Sequence, residues 1–268
     1  MDNLMSINGV GLNEAGSKDA DLNDTGCLVF EPTPDSLRWA HAARAEAVQI
    51  ASDPTKQREN LRHGGTWFVG VDALPSAGDG AISGVALKGP WDPYVPLNTA
   101  LHPAQLSIMY PGYPKQDLDQ SDANHRYRVS RCGAHMDGLL PVGPDKRRQA
   151  MEFHAYILGI QISDCAFAPT VYWPGSHHIL QTALRRVLDG RDPKGVDVTD
   201  AYHMARRQVF ATCDPVALPL AFGASFLLHR FALHGTAPWG KAASEGARMT
   251  AFFRPEFETA QHWLSGAV

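Results

Sequence analysis

Two separated stretches of the chain carry side chains that could together hold a metal ion. The first is Arg131-Cys132-Gly133-Ala134-His135-Met136-Asp137-Gly138. On an extended chain residues i and i+2 point to the same face, so His135 and Asp137 would present an imidazole and a carboxylate side by side, with Met136 turned away. Such a pair does not close a metal site. The expected third ligand is His234, in Leu227-Leu228-His229-Arg230-Phe231-Ala232-Leu233-His234-Gly235-Thr236. Two histidines and a carboxylate on one face of an ion, with the other positions open, suit non-haem Fe(II) oxygen chemistry. Farther along, Arg248 opens the apolar run Arg248-Met249-Thr250-Ala251-Phe252-Phe253-Arg254-Pro255-Glu256, where a guanidinium could grip a carboxylate bidentately.

The order of these landmarks, His-x-Asp, then a distal His followed by Gly and a hydroxyl residue, then an Arg on the next strand, resembles the Fe(II)/2-oxoglutarate-dependent dioxygenases. Within them it resembles the phytanoyl-CoA dioxygenase-like family, whose Pro-Gly-Ser-His turn is similar to Pro174-Gly175-Ser176-His177. The resemblance covers roughly residues 105–256. It implies a double-stranded β-helix of the jelly-roll, cupin-like type, with Fe(II), 2-oxoglutarate and O2 as cofactor and cosubstrates. His135, Asp137 and His234 would hold the iron, while Arg248 and the Thr236 hydroxyl would meet the distal carboxylate of 2-oxoglutarate. In halogenating relatives a small residue replaces the carboxylate ligand, so Asp137 points to hydroxylation, with desaturation or ring formation as further outcomes. The family acts on many small metabolites, so the substrate does not follow from the resemblance.

Composition sets broader limits. With 268 residues, 44% hydrophobic and 19% charged, the chain is long enough for a sizeable core and ordinary for a folded domain. A single domain is expected over residues 1–268, with residues 1–25 as a loose arm. A net charge of −4 gives no basic footprint for nucleic acid or for an anionic membrane surface. The first residues have neither a positive start nor an apolar core of signal-peptide length, and no run is long enough to span a bilayer. Cys27, Cys132, Cys165 and Cys213 are irregularly spaced, unlike a disulfide framework or a CxxC zinc site. A cytoplasmic protein with a small-molecule substrate is therefore expected.

Elements must then position the ligands. Residues 35–52 carry Leu37, Ala40, Ala43, Ala47 and Ile50 at helical spacing with no internal Gly or Pro, which predicts an amphipathic helix capped by Thr33 or Asp35. Strands are expected at 66–71, 81–87, 105–110, 125–130, 154–163, 215–220, 225–230 and 248–256. The segment 138–148 reads as a loop. Helices from 177 to about 188 and from 197 to 213 form an insertion between strands. If 125–130 is a strand, Arg126 and Arg128 share its outer face and read as solvated charges, while Arg131 looks inward with the ligands. Arg131 would then favour an anionic substrate, a structural ion pair being the alternative. The loop Gly89-Pro90-Trp91-Asp92-Pro93-Tyr94-Val95-Pro96 could place Trp91 or Tyr94 against substrate, or pack them down as a lid on the core.

Neighbouring residues compete for the same roles. His229 has odd spacing to His234, so only one of them can look inward, and Gly235 and Thr236 favour His234. Arg254 shares the strand face of Arg248 and competes for the same anchoring role, but it sits at the strand's exit before Pro255. Lys241 lies too early. Two other classes would fit the same pattern: a cupin-type metalloenzyme that does not use 2-oxoglutarate, and a non-catalytic jelly roll that binds a small molecule.

Overall fold

The computed structural model describes residues 21–95, 100–240 and 246–265. Its strands are β1 (Cys27–Phe30), β2 (Leu61–Arg62), β3 (Trp67–Gly70), β4 (Gln105–Met109), β5 (Leu139–Val142), β6 (Arg147–Ala150), β7 (Tyr156–Gln161), β8 (Thr170–Tyr172), β9 (Val216–Leu218), β10 (Ser225–His229), β11 (His234–Thr236) and β12 (Arg248–Phe253). The helices are α1 (Leu22–Thr25), α2 (Pro34–Ser52), α3 (Pro54–Asn60), α4 (Asp122–Ser130), α5 (Ser176–Leu188), α6 (Thr199–Thr212) and α7 (Ala260–Ser265). A major sheet runs β1-β10-β7-β12-β4-β3-β2, a minor one β11-β8-β9, and β5 pairs with β6 in a hairpin. The strand pairs are antiparallel throughout. This is a double-stranded β-helix of the jelly-roll type with flanking helices.

The two-residue side-chain period of a strand separates core from cavity. On β3 and β4, Phe68, Leu106 and Ile108 are fully buried on the outer face. Their neighbours Trp67, Val69, Gln105 and Ser107 line a cavity on the inner face. Helix α2 covers the outer face with the stripe Trp39, Ala40, Ala43 and Ala47, all fully buried. Thr33 starts that helix with a capping box: its side chain accepts from the Ser36 N–H, and the Ser36 hydroxyl accepts from the Thr33 N–H. Trp39 anchors the packing and donates its indole N–H to the Gly80 carbonyl at 2.9 Å. Truncating a Trp buried in this way costs roughly 3–5 kcal/mol.

A second apolar cluster lies beneath the metal-ligand loop. Leu180, Leu184 and Leu188 of α5 and Tyr202, Ala205 and Val209 of α6 pack against Ala134, Met136, Trp173 and Leu233. The helical insertion thus supports the segment that carries His135 and Asp137. Its apolar alternates, Ala134 and Met136, are 1% and 3% exposed, so they hold the loop down while the two polar residues face away from the cluster.

Several expectations need correction. Residues 125–130 are not a strand but the last two turns of α4. Ser121 caps that helix by accepting from the Asn124 N–H, Asp122 lies in its first turn and Arg128 in its last. Those terminal signals oppose the β propensity of Tyr127 and Val129, and a helix results. Residues 138–148 are not a loop, since β5 and β6 pair there. Residues 81–87 contain only an isolated bridge, Ile82 to Val85, in a tight turn. Of the N-terminal arm, residues 22–25 form α1, with Leu22 buried; residues 1–20 lie outside the described residues, as does Lys241. Among the described residues no helix is long and apolar enough to cross a membrane, and the four cysteines are free.

Candidate metal centre

The ligand loop and β11 are tied by the backbone. The His135 N–H donates to the His234 carbonyl at 2.8 Å, the His234 N–H returns to the His135 carbonyl at 2.9 Å, and the Thr236 N–H donates to the Cys132 carbonyl at 2.9 Å. This seam runs past Gly235, where an added Cβ would stand 2.2 Å from the Cys132 carbonyl oxygen. Only glycine lets the two segments approach so closely. The pairing sets the imidazoles side by side, with ring centroids 4.7 Å apart.

Each histidine is fixed through Nδ1. His135 Nδ1 lies 3.0 Å from the Gly133 carbonyl, and His234 Nδ1 lies 3.0 Å from the Ala232 carbonyl. A carbonyl oxygen only accepts, so Nδ1 carries a proton in both rings, and the neutral form of each turns its Nε2 lone pair outward. Both Nε2 atoms face Asp137 Oδ1, at 3.2 Å from His135 and 3.6 Å from His234. The ligand atoms of His135, Asp137 and His234 lie within 4.8 Å of one another, the only such His, Cys, Asp or Glu group among the described residues. In the neutral form of the rings three acceptors converge, and this donor set fits a bound metal ion. Two nitrogens and one oxygen suit Fe(II).

The second oxygen of Asp137 is also held. Arg254 Nε donates to Asp137 Oδ2 at 2.6 Å, and its Nη1 donates to Gln105 Oε1 at 2.7 Å. Burial would push the Asp137 carboxyl up, but the Arg254 guanidinium beside it outweighs burial and holds the carboxyl well below the usual range. Asp137 is therefore an anion, with one oxygen turned to the imidazoles and the other to the guanidinium.

These residues sit in a cavity of about 390 Å³, within the range of small-molecule sites. Thr236 lines it, and so does Thr170. Behind Thr170 stands Arg248, 4% exposed, whose Nη1 donates to the Ala168 carbonyl at 2.9 Å and whose Nη2 donates to Thr170 Oγ1 at 3.1 Å. Arg248 Nε has no partner, and no carboxylate among the described residues pairs with this guanidinium. A buried cation without a counter-charge is costly, so the site fits an anion delivered from the cavity.

The structure brings together His135, Asp137, His234 and Thr236 and places Arg248 at their back. It does not bring in the other candidates. Arg131 is exposed, lies outside the cavity lining and stacks on Phe210 with its guanidinium 4.8 Å from the ring. Trp91 is 2% exposed in the core cluster under α2, and Tyr94 packs on Phe30 at 5.3 Å. His229 is buried and accepts from the Phe231 N–H, a structural role. Conversely, Arg128 is not a solvated charge. It lines the cavity, donates to Tyr113 Oη at 3.0 Å and lies 5.3 Å above the Trp67 ring. Its helical placement explains the miss, because strand parity had turned it outward. Arg254 was legible on the face of Arg248, but its partnership with Asp137 was not.

No family model matches the chain, and no curated protein sequence does. Among solved structures of similar fold is the non-heme alpha ketoglutarate dependent carbocyclase SnoK from nogalamycin biosynthesis. It is 16% identical, with 91% of this chain and 88% of that chain covered and a TM-score of 0.50. Another is the epimerase SnoN in complex with Fe3+, alpha ketoglutarate and nogalamycin RO, 14% identical over 88% of this chain and 81% of that one, also with a TM-score of 0.50. At these identities the likeness establishes the shared jelly-roll fold.

Proposed function

We propose that the chain is an Fe(II)- and 2-oxoglutarate-dependent oxygenase that hydroxylates a small molecule. The observation that carries this reading is the convergence of two Nε2 lone pairs and one carboxylate oxygen, all acceptors, at the wall of a cavity of metabolite size. His135, Asp137 and His234 would hold the metal, leaving its remaining positions to cosubstrates. When bound, iron and 2-oxoglutarate supply the oxidation, consuming O2 and releasing succinate and CO2. Support for 2-oxoglutarate comes from Arg248, whose uncompensated guanidinium would take a distal carboxylate with the Thr236 hydroxyl nearby, and from the SnoN complex of similar fold, which holds Fe3+ and alpha ketoglutarate.

The protein's own work is positional. The Gly133 and Ala232 carbonyls keep both imidazoles in the ligating tautomer, and Arg254 keeps Asp137 from turning its second oxygen to the metal. The Trp67, Val69 and Phe252 side chains give the cavity apolar walls that limit water near the reacting carbon. The SnoK and SnoN descriptions, a carbocyclase and an epimerase, show that the fold also hosts outcomes other than oxygen insertion. Hydroxylation is the reading proposed for this chain, because with Asp137 as a ligand the metal would not offer that place to a halide. The test is anaerobic addition of Fe(II), ascorbate and 2-oxoglutarate. A weak visible charge-transfer band is expected from the chelate, and its absence in folded protein would overturn the proposal.

A further inference from the structure

The cavity has two ends of opposite charge. Strand register fixes them: Arg248 pairs with Met109, which pairs with Trp67, while Phe252 pairs with Gln105 at the other end. Four residues of β12 separate the two rows, roughly 14 Å at about 3.4 Å per residue. At the first end Arg128 lines the cavity and donates to Tyr113 Oη, and Arg248 stands behind the lining residue Thr170. At the second end, beyond Phe252, the lining carries Glu152, Glu256 and Asp72. The metal ligands lie between.

The carboxylates of the second end are built into the wall. The Glu152 N–H donates to the Gly138 carbonyl, directly after Asp137, and His154 bridges to Glu256 across antiparallel backbone. Glu152 Oε2 is 3.1 Å from His154 Nε2, and Glu256 Oε2 accepts from the Phe153 N–H at 3.3 Å. The hydrogen bond from His154 holds the Glu152 carboxyl below its ordinary range, so it is ionised. His154 is 6% exposed and lines the same wall, and its Nδ1 is buried without a partner. The one guanidinium at this end, Arg254, is already engaged by Asp137 and Gln105, and no lysine lines the cavity among the described residues.

The carboxylate oxygens of Glu152 and Glu256 that these bonds leave over make a set of acceptors at the mouth. Resting on the oxygenase reading above, we infer that the substrate carries a protonated amine, bound by Glu152 and Glu256 at the mouth while its carbon skeleton lies against Phe252 and Val69. An anionic substrate, the expectation attached to Arg131, would meet like charge here. The two guanidiniums at the far end are then reserved for the dicarboxylate cosubstrate.

The test uses the full chain loaded with Fe(II) and 2-oxoglutarate. Succinate release is measured with a fixed set of primary amines (amino sugars, α,ω-diamines and amino-acid amides), each paired with its N-acetyl derivative, and with a matched set of carboxylic acids. At least one amine is expected to stimulate release tenfold or more over its acetylated partner. Glu152→Gln and Glu256→Gln should each cut that ratio at least fivefold, with KM for the amine rising more than kcat falls. A set in which no amine outperforms its acetylated partner, in which acids are preferred, or in which both variants keep the wild-type ratio overturns the inference. The anaerobic charge-transfer band separates the two claims: a band with no amine preference removes only the substrate class, whereas no band removes the oxygenase reading and this inference with it.

Discussion

Arg254 Nε stands 2.6 Å from Asp137 Oδ2, on the side of the carboxylate opposite the two histidines. The guanidinium therefore divides the labour of the carboxylate, one oxygen for the ion and one for itself. Groups that orient a ligand from outside the metal's own ligand set typically matter ten- to hundredfold in affinity. Arg254→Ala is expected to weaken Fe(II) binding by about that factor, read from metal titrations of the charge-transfer band, while leaving the thermal midpoint within a few degrees. Unchanged iron affinity would show that Asp137 needs no such support.

Arg248 should behave differently, although it shares a strand face with Arg254. It touches Thr170 and Ala168, not a metal ligand. Charge-assisted hydrogen bonds are worth about 1.5–3 kcal/mol each, so Arg248→Gln should raise the Kd for 2-oxoglutarate at least tenfold. Iron affinity should stay near wild type. Equal 2-oxoglutarate affinity in the variant would assign the anchoring role elsewhere.

Removal of a ligand is the sharpest test of the triad. His135→Ala, Asp137→Ala and His234→Ala should each abolish the charge-transfer band and reduce succinate formation by at least about a thousandfold, because an incomplete donor set does not retain the ion. Isothermal titration with Fe(II) or a Mn(II) surrogate checks this directly. A variant that still binds one equivalent tightly would remove that residue from the ligand set.

Gly235 offers a prediction about the seam. A methyl group there would meet the Cys132 carbonyl oxygen at 2.2 Å, which side-chain rearrangement does not relieve. Gly235→Ala is expected to destabilise the protein by about 3 kcal/mol or more, at the upper end of single substitutions, and to lose metal binding even when folded. Urea unfolding and metal titration of the same sample would measure both effects. A variant as stable as wild type would contradict the close approach.

Stability should also depend on pH through His229. Burial, then Arg230 and His177 beside it, push its imidazole from 6.5 down to about 2. Burial lowers His177 in the same direction. The unfolded chain takes up a proton below pH 6.5 that the folded chain refuses, so the stability is complete above that value and falls with pH. The slope contributed by His229 approaches about 1.4 kcal/mol per pH unit. Denaturant midpoints measured from pH 7.5 to 5 should fall, and His229→Gln should flatten the fall. A wild-type midpoint that is constant over this range would refute the assignment.

How much of this was legible beforehand varied by element. Helix α2 was readable because its cap, spacing and lack of Gly or Pro agreed with one another. Residues 125–130 were not, since Tyr127 and Val129 favour strand while the Ser121 and Asp122 signals lie upstream, and local preferences of about a kilocalorie do not settle such a conflict. That error carried Arg128 outward and Arg131 inward, the reverse of their places. Trp91 and Tyr94 were likewise drawn to the site by composition and taken by the core.

By itself the sequence determined which side chains were available to bind metal and in what order, because His135, Asp137, His234, Gly235 and Arg248 owe their chemistry to residue type and their facing to short spacings. Only the tertiary structure decided what surrounds them. Arg254 against Asp137, Arg128 against Tyr113 and the acidic mouth at Glu152 and Glu256 bring together residues distant along the chain. Their existence depends on sheet register and helix docking, which no local pattern encodes.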